Sequence, residues 1–504
     1  MKNPIPAVPS LLISSALWMG AYAAPLAPNA AAQTGSWLSH AHDEQHTALS
    51  AVPSQPLNVI HWHTPVDLDP QPGGSEILVH YGSPLVTAAN TVIVPVKTGA
   101  NSFRVDARNG ATGDLLWSEN TGWKAPEASF VPGLGPTISG NLLYIPDVAG
   151  RLIQRQNPDD ATGKTTLLDF YGAENYAKSP TAYKKYVQID TPLTTDSSGN
   201  IYFGFLVLGP TPLKLKSGIA RIAADGTGAW TSAAAASGDS TITQVAISAA
   251  PALSLDGSLL YVVVNNASYG YMLALNSTTL APVSHARLID PHSGLDSTIC
   301  DCSSAAPTVG PDGDVYFGVL ENPFPDHNDR GWLLHFNSDL SQTKIPGSFG
   351  WDDTPSIVPA SLVASYHGTS SYLVMSKYNN YYGIGTGNGE NRIAILDPNA
   401  TEHDPILHST LVMKEVITKL GVTPDPQGGV REWCINSAAV DPFTKSVLAN
   451  SEDGYIYRWD LTTNSFPQRV KLSSGIGEAY TPTLIGADGT IYAINDAILD
   501  AIGK

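Results

Sequence analysis

Several carboxylates and cysteines of this 504-residue chain stand just upstream of a recurring dipeptide, a small residue followed by Pro or Ala. Asp190 precedes Thr191-Pro192. Cys300 and Cys302 precede Ala306-Pro307. Asp352 and Asp353 precede Thr354-Pro355. Glu432, Cys434 and Asn436 precede Ser437-Ala438, Glu478 and Tyr480 precede Thr481-Pro482, and His80 and Tyr81 precede Ser83-Pro84. Carboxylates held together raise one another's pKa or require a cation. A hard cation such as Ca²⁺ takes oxygen ligands of this kind, which makes Asp352, Asp353, Glu432 and Glu478 candidate metal ligands. Asp352, Asp353, His80 and Tyr81 are the candidate catalytic acids and bases. The plain alternative is that these groups cap strands, bond backbone N–H groups and line a water-filled channel.

A second set lies between Lys377 and Asn399, where Lys377, Asn379 and Arg392 stand among glycines. Lys377 and Arg392 suit a ligand carboxylate, although a glycine-rich hairpin loop explains the same residues. Downstream, LVMKEVITKLG reads as a helix within an insertion at 402–431 that would lid one face. The three cysteines allow a Cys300–Cys302 bridge only as a tight ring, and the cluster is also suited to a soft metal. In HAHDEQH, His42 and His46 would share a helix face and reach a metal, while a solvated tail accounts for them as well. Loop 321–330 is polar enough for Ca²⁺ but lacks the EF-hand pattern. The sequence has no P-loop, G-x-S-x-G, H-E-x-x-H or C-x-x-C-H.

The dipeptide belongs to a longer repeat. A small residue and Pro are followed by four or five mixed residues, a turn with Asp or Gly, and an apolar strand. The copies begin SPLVTAANTVIV, GPTISGNLLYI, TPLTTDSSGNIYF, APALSLDGSLLYV, APTVGPDGDVYF, TPSIVPASLVA, SAAVDPFTKSVLA and TPTLIGADGTIYA. The slot residues are Pro84, Pro136, Pro192, Pro251, Pro307, Pro355, Ala438 and Pro482, evenly spaced apart from one enlarged sixth unit. Such a period suits four short strands, one blade of a propeller. The D-G and N-G turns are hairpin chemistry. The expected fold is therefore all-β, an eight-bladed β-propeller. The last unit lacks an outer strand, which Asn58 to Val66 would supply and so close the ring. Because the first strand of each blade lines the axis, residues just before each slot converge on one channel mouth.

Composition agrees, with 45 Gly, 38 Pro and only 14% charged residues. The net charge of −18 opposes nucleic acid or an anionic membrane as a partner. Lys2, the apolar run Leu11 to Met19 and Ala21-Tyr22-Ala23 read as a signal peptide over 1–23, too short to span a membrane. Residues 24–54 read as a tail or strap, and 55–504 as one propeller. The expected location is periplasmic or secreted.

The segments ARNGATGDLLW and ADGTGAW resemble the A-x-D-x-x-T-G-x-x-x-W turn of PQQ-binding-like quinoprotein propeller repeats. The resemblance covers about residues 55–504 and is complete in two units. It implies an eight-bladed propeller with a ligand on the axis, and PQQ with Ca²⁺ as cofactors; the residues by themselves identify none. The GTGNG run is similar to a glycine-rich segment of quinoprotein dehydrogenases. Their vicinal disulfide beside the cofactor has no counterpart here, where Cys300-Asp-Cys302 stands instead. Three readings follow: a PQQ- and Ca²⁺-dependent oxidoreductase, a non-catalytic scaffold binding protein or glycan on one face, and a polysaccharide lyase or hydrolase using His80, Tyr81 and the carboxylates. In each the partner is a small molecule, a glycan or a protein on the propeller face. The ligand-binding candidates are Asp190, Cys300, Cys302, Lys377, Asn379, Arg392, Glu432, Cys434, Asn436, Glu478 and Tyr480.

Overall fold

Alternating apolar strands separated by glycine turns pair locally, so each repeat unit becomes one antiparallel sheet. A computed structural model describes residues 35–70, 72–73, 76–77, 82–125, 134–299, 305–475 and 479–504. The expected signal peptide lies outside the described residues. Eight blades form a ring. Blade one runs from Leu85–Val86 at the axis through Thr91–Gly99 and Ser102–Asn109 to Leu115–Thr121. Blade five has three strands, Thr308–Val309, Val315–Val319 and Trp332–Phe336. Bridges from Leu333 to Gly347 and from Phe336 to Thr343 complete its outer edge.

The expected closure is present. Val59–Pro65 pairs antiparallel with Ile498–Gly503, in register from Val59 opposite Gly503 to Pro65 opposite Ile498. Blade eight thus takes its outer strand from the other end of the chain, and no open edge separates blades eight and one.

The repeat dipeptide explains itself structurally. In several blades the hydroxyl after the slot donates to the slot carbonyl of the next blade. Thr308 Oγ1 donates to Pro355 O at 3.2 Å, and Ser356 Oγ to Ala438 O at 2.6 Å. Thr194 Oγ1, one residue further on, donates to Pro251 O at 2.6 Å. Backbone bonds cross the same seams in both directions, from Thr354 N to Asn436 O of the next blade, and from Leu193 N to Gly135 O and Thr483 N to Ser437 O of the preceding blade. The small residue and proline keep the strand thin and extended where adjacent blades approach most closely.

Residues 37–50 run as a strap along the inner strands of successive blades. The second residue after the slot donates its N–H to a strap carbonyl in five blades: Ile138 to Leu38, Leu253 to Glu44, Val309 to Gln45, Ile357 to Thr47 and Val440 to Ala48. In blade one, Val86 and Trp37 exchange both bonds. The strap therefore satisfies inner-strand amides that face the axis. It lies about four residues, roughly 13 Å, beyond the residues that precede the slots, at a strand rise of about 3.3 Å.

Two expectations are corrected here. HAHDEQH is not helical. His42, with φ 90°, packs on Trp37 and pairs with Asp43, while buried His46 donates from Nδ1 to Pro307 O at 2.7 Å. The segment is a run of turns, with His42 N donating to Ser39 O and His46 N to Asp43 O, while the Glu44 and Gln45 carbonyls accept from Leu253 N and Val309 N of the blades. Likewise LVMKEVITKLG is a strand, Leu411–Leu420, paired with Arg392–His403. Val412, Val416, Ile417 and Thr418 favour an extended chain, and the blade's outer edge offered partners a free helix would lack. The insertion lengthens blade six instead of lidding the ring.

Asp441 pins the strap's exit. Its carboxylate accepts from Ser54 N at 2.8 Å and from Ser54 Oγ, Phe443 N and Thr444 Oγ1, with Arg458 Nη1 3.8 Å away. Asp441→Ala leaves the buried Arg458 guanidinium without its counter-charge and is expected to cost about 3–5 kcal/mol in denaturant unfolding. A loss below about 1 kcal/mol contradicts this role for the strap anchor.

Candidate functional site

The strands dictate which side chains reach the mouth. Each inner strand begins there, and the second strand, being antiparallel, ends there. In blade six, Ser356 lies opposite Met375, so Ser376, Lys377 and Tyr378 run up beside Thr354 and Asp353. Both ends of the hairpin thus contribute to one site.

Lys377 is its buried centre. Its Nζ lies 3.8 Å from Asp352 Oδ2, 5.9 Å from the centre of the Phe349 ring and 5.8 Å from that of Tyr480. The Tyr480 contact joins blade six to blade eight across the mouth, at cation–π range. Asp352 has φ 57°, a left-handed conformation uncommon for a residue with a side chain. The following residue, Asp353, accepts from Ser376 Oγ at 2.8 Å. Burial pushes the Asp353 carboxyl up to about 7, against the pull of the Lys377 charge.

Blades five and seven supply the remaining charge. Asp329 is also pushed up to about 7, by burial first and then by Glu321 and Glu432; Lys377 opposes the shift. Glu321 has both oxygens occupied, accepting from Asp329 N and Gly331 N at 2.8 Å each. In blade seven one ligand atom from each of Glu432, Cys434 and Glu452 lies within 4.8 Å of the others. The Cys434 thiol donates to Glu452 Oε2 at 3.7 Å. Tyr381 borders this group, and burial with the Glu432 and Cys434 charges holds its phenol far above the usual range. Asn379 fixes the wall, donating to Tyr381 Oη and Trp433 O and accepting from Trp433 N.

Asp352, Asp353, Lys377, Asn379, Glu432, Cys434 and Tyr480 are therefore gathered at the mouth. Asn436 stands in the seam beneath, donating to Thr354 Oγ1 at 3.2 Å. Asp190 is buried in blade three and stitches it to blade four, accepting at its backbone oxygen from Ser248 N. Arg392 is not brought in. It pairs with Glu390 at 3.2 Å on the partly exposed start of its strand. The glycine-rich run is a surface loop in which Asn388 accepts from Asn380 and from Glu390 N. His80, Tyr81, Cys300, Cys302 and Glu478 lie outside the described residues. Asp329, Tyr381 and Glu452 escaped the sequence reading because each follows a second strand rather than preceding a first.

No protein-family model matches the chain, and no curated protein matches it. Solved structures do. A europium-containing methanol dehydrogenase is similar at 12% identity and TM-score 0.54, over 92% of this chain and 91% of that one. A quinohemoprotein alcohol dehydrogenase from Pseudomonas putida HK5 is similar at 15% identity and TM-score 0.52, over 94% of this chain and 76% of that one. The fold is that of the quinoprotein propellers. Sqt1 of Saccharomyces cerevisiae is similar at TM-score 0.50 and 10% identity, over 90% of this chain and 99% of that one. At these identities the likeness is one of fold, and the activity must be argued from the site.

Lys377→Met removes the charge that holds Asp329 and Asp353 down. Both carboxyl midpoints are then expected to rise above about 7, read as carboxylate bands in pH-difference infrared spectra. Midpoints near about 4 in the parent protein contradict the site as described.

Proposed function

We propose that this chain is an exported, quinoprotein-like propeller whose acidic axial mouth binds an organic ligand together with a divalent cation, as a PQQ- and Ca²⁺-dependent oxidoreductase requires. The observation that carries this reading is a gathering of carboxylates at the mouth, where Asp352 lies beside the Lys377 ammonium, Asp329 feels Glu432 and Lys377, and Glu432 and Glu452 meet at Cys434. A surplus of carboxylates at one point is satisfied by protons or by a cation. Asp329 of this group and its neighbour Asp353 are both pushed up to about 7, so both solutions are accessible.

The residues fit a cation with a carboxylate-bearing cofactor. Glu432 and Glu452 offer oxygen donors to a hard dication, with the Cys434 thiol serving as a hydrogen-bond donor beside them. Lys377 is placed to meet a ligand carboxylate, at the cost of loosening its contact with Asp352. PQQ, when bound, supplies a hydride acceptor. Asp353 is buried and poised near pH 7, which suits a base that takes the proton of an alcohol hydroxyl. Asn379 and Tyr381 form a wall of the site and limit water.

Thermal unfolding of the chelator-treated chain tests the proposal, with Ca²⁺ alone, PQQ alone and both together. The expected result is a small rise with Ca²⁺ and a larger one with both, since ligands that bind only the folded state stabilise it. Glu432→Gln is expected to abolish the Ca²⁺ effect. No shift with any combination overturns the proposal.

A further inference from the structure

A second feature of the mouth face has the opposite charge character. Val207 lies opposite Val187, at the mouth end of blade three, and from there the loop 208–217 runs out over the face. Between this loop and the start of blade four lies a groove of about 780 Å³. Lys214 and Lys216 line it, both exposed, and no Asp or Glu does, in a chain whose net charge is −18. Lys184 and Lys185 extend the basic patch, because Leu208 N donates to Tyr186 O at 2.8 Å and so packs the end of their helix against the loop.

The hydroxyls of the groove are oriented. Ser217 Oγ accepts from Val207 N at 2.9 Å, Thr211 Oγ1 from Leu215 N at 2.9 Å, and Ser232 Oγ from Ala235 N at 3.2 Å. Each oxygen is held by a backbone N–H, which leaves its own O–H to donate. The groove thus offers two ammonium groups and three hydroxyl donors without a carboxylate to receive a ligand's protons. Leu208, Pro210 and Leu215 give it an apolar wall, and Leu208 is exposed.

We infer that this groove is a binding site for an acidic oligosaccharide, one built of uronic acid units. Such a ligand carries carboxylates for Lys214 and Lys216, hydroxyl and ring oxygens for the O–H donors, and apolar sugar faces for the leucine and proline wall. An acidic peptide satisfies the lysines but brings a row of N–H donors into a groove already lined with donors. The groove and the axial mouth are separate, so the inference stands or falls apart from the cofactor reading.

Calorimetric titration of the full chain with oligogalacturonate tests it, with polyglutamate and a neutral cello-oligosaccharide in parallel. Binding of oligogalacturonate alone is expected, weakening with salt, and reduced about tenfold or more in the Lys214→Glu/Lys216→Glu variant. Both lysines are exposed, so the variant should keep the parent's unfolding temperature. Amide NMR shifts in loop 208–217 locate the ligand. Failure of oligogalacturonate to bind, equal binding of polyglutamate or of the neutral sugar, or undiminished binding by the variant overturns the inference.

Discussion

The structure depends on very short inner strands that cannot hold themselves. Leu85–Val86, Thr308–Val309 and Leu484–Ile485 are two residues each. Their remaining polar groups face a narrow axis where an unpaired amide is costly. Two devices meet that demand. The Thr or Ser hydroxyls near the slot donate to the next blade, and the carbonyls of the strap, residues 37–50, accept from one blade after another. The axis is thereby closed by backbone at one level and left to side chains at the other. That asymmetry leaves the mouth as the level at which side chains of several blades meet.

The same asymmetry shapes the electrostatics. Beneath the mouth, buried groups are neutral or bonded, as with His46 against Pro307 O and Asp441 against Ser54. At the mouth, carboxylates from blades five, six and seven converge on Lys377, and two of them stay partly protonated near neutrality. Buried Asp404 is held low by its hydrogen bonds from His327 and Ser348. Asp329 and Asp353 at the mouth are held high, by burial first. Groups so poised respond to a cation, a ligand or a change of pH.

Much of this was legible in the sequence. The period of the small-Pro dipeptide fixed the number of blades, and the missing outer strand of the last one pointed to Asn58 to Val66. Placing the start of each inner strand at one end brought Asp352, Asp353, Glu432, Cys434 and Tyr480 to the mouth. What was not legible were contributions that depend on the return path of the chain. Asp329 and Glu452 follow second strands of differing length, and no fixed offset from the slot marks them. Residues 24–54 read equally as a tail or a strap, and HAHDEQH as helical or solvated, because the polarity of the segment looks like that of a free one. Its partners are backbone groups of other blades, which composition cannot reveal. LVMKEVITKLG misled for a related reason, since an open sheet edge outweighed its helical spacing.

The central claim is that the mouth gathers carboxylates into a cation site. Terbium luminescence sensitised by nearby aromatic side chains measures it directly, because Tb³⁺ seeks the same oxygen donors as Ca²⁺. The account predicts one saturable Tb³⁺ site that Ca²⁺ displaces, that weakens as the pH falls below about 7 and that is lost in the Glu432→Gln/Glu452→Gln variant. Luminescence that persists in that variant, or that shows no saturation, contradicts it.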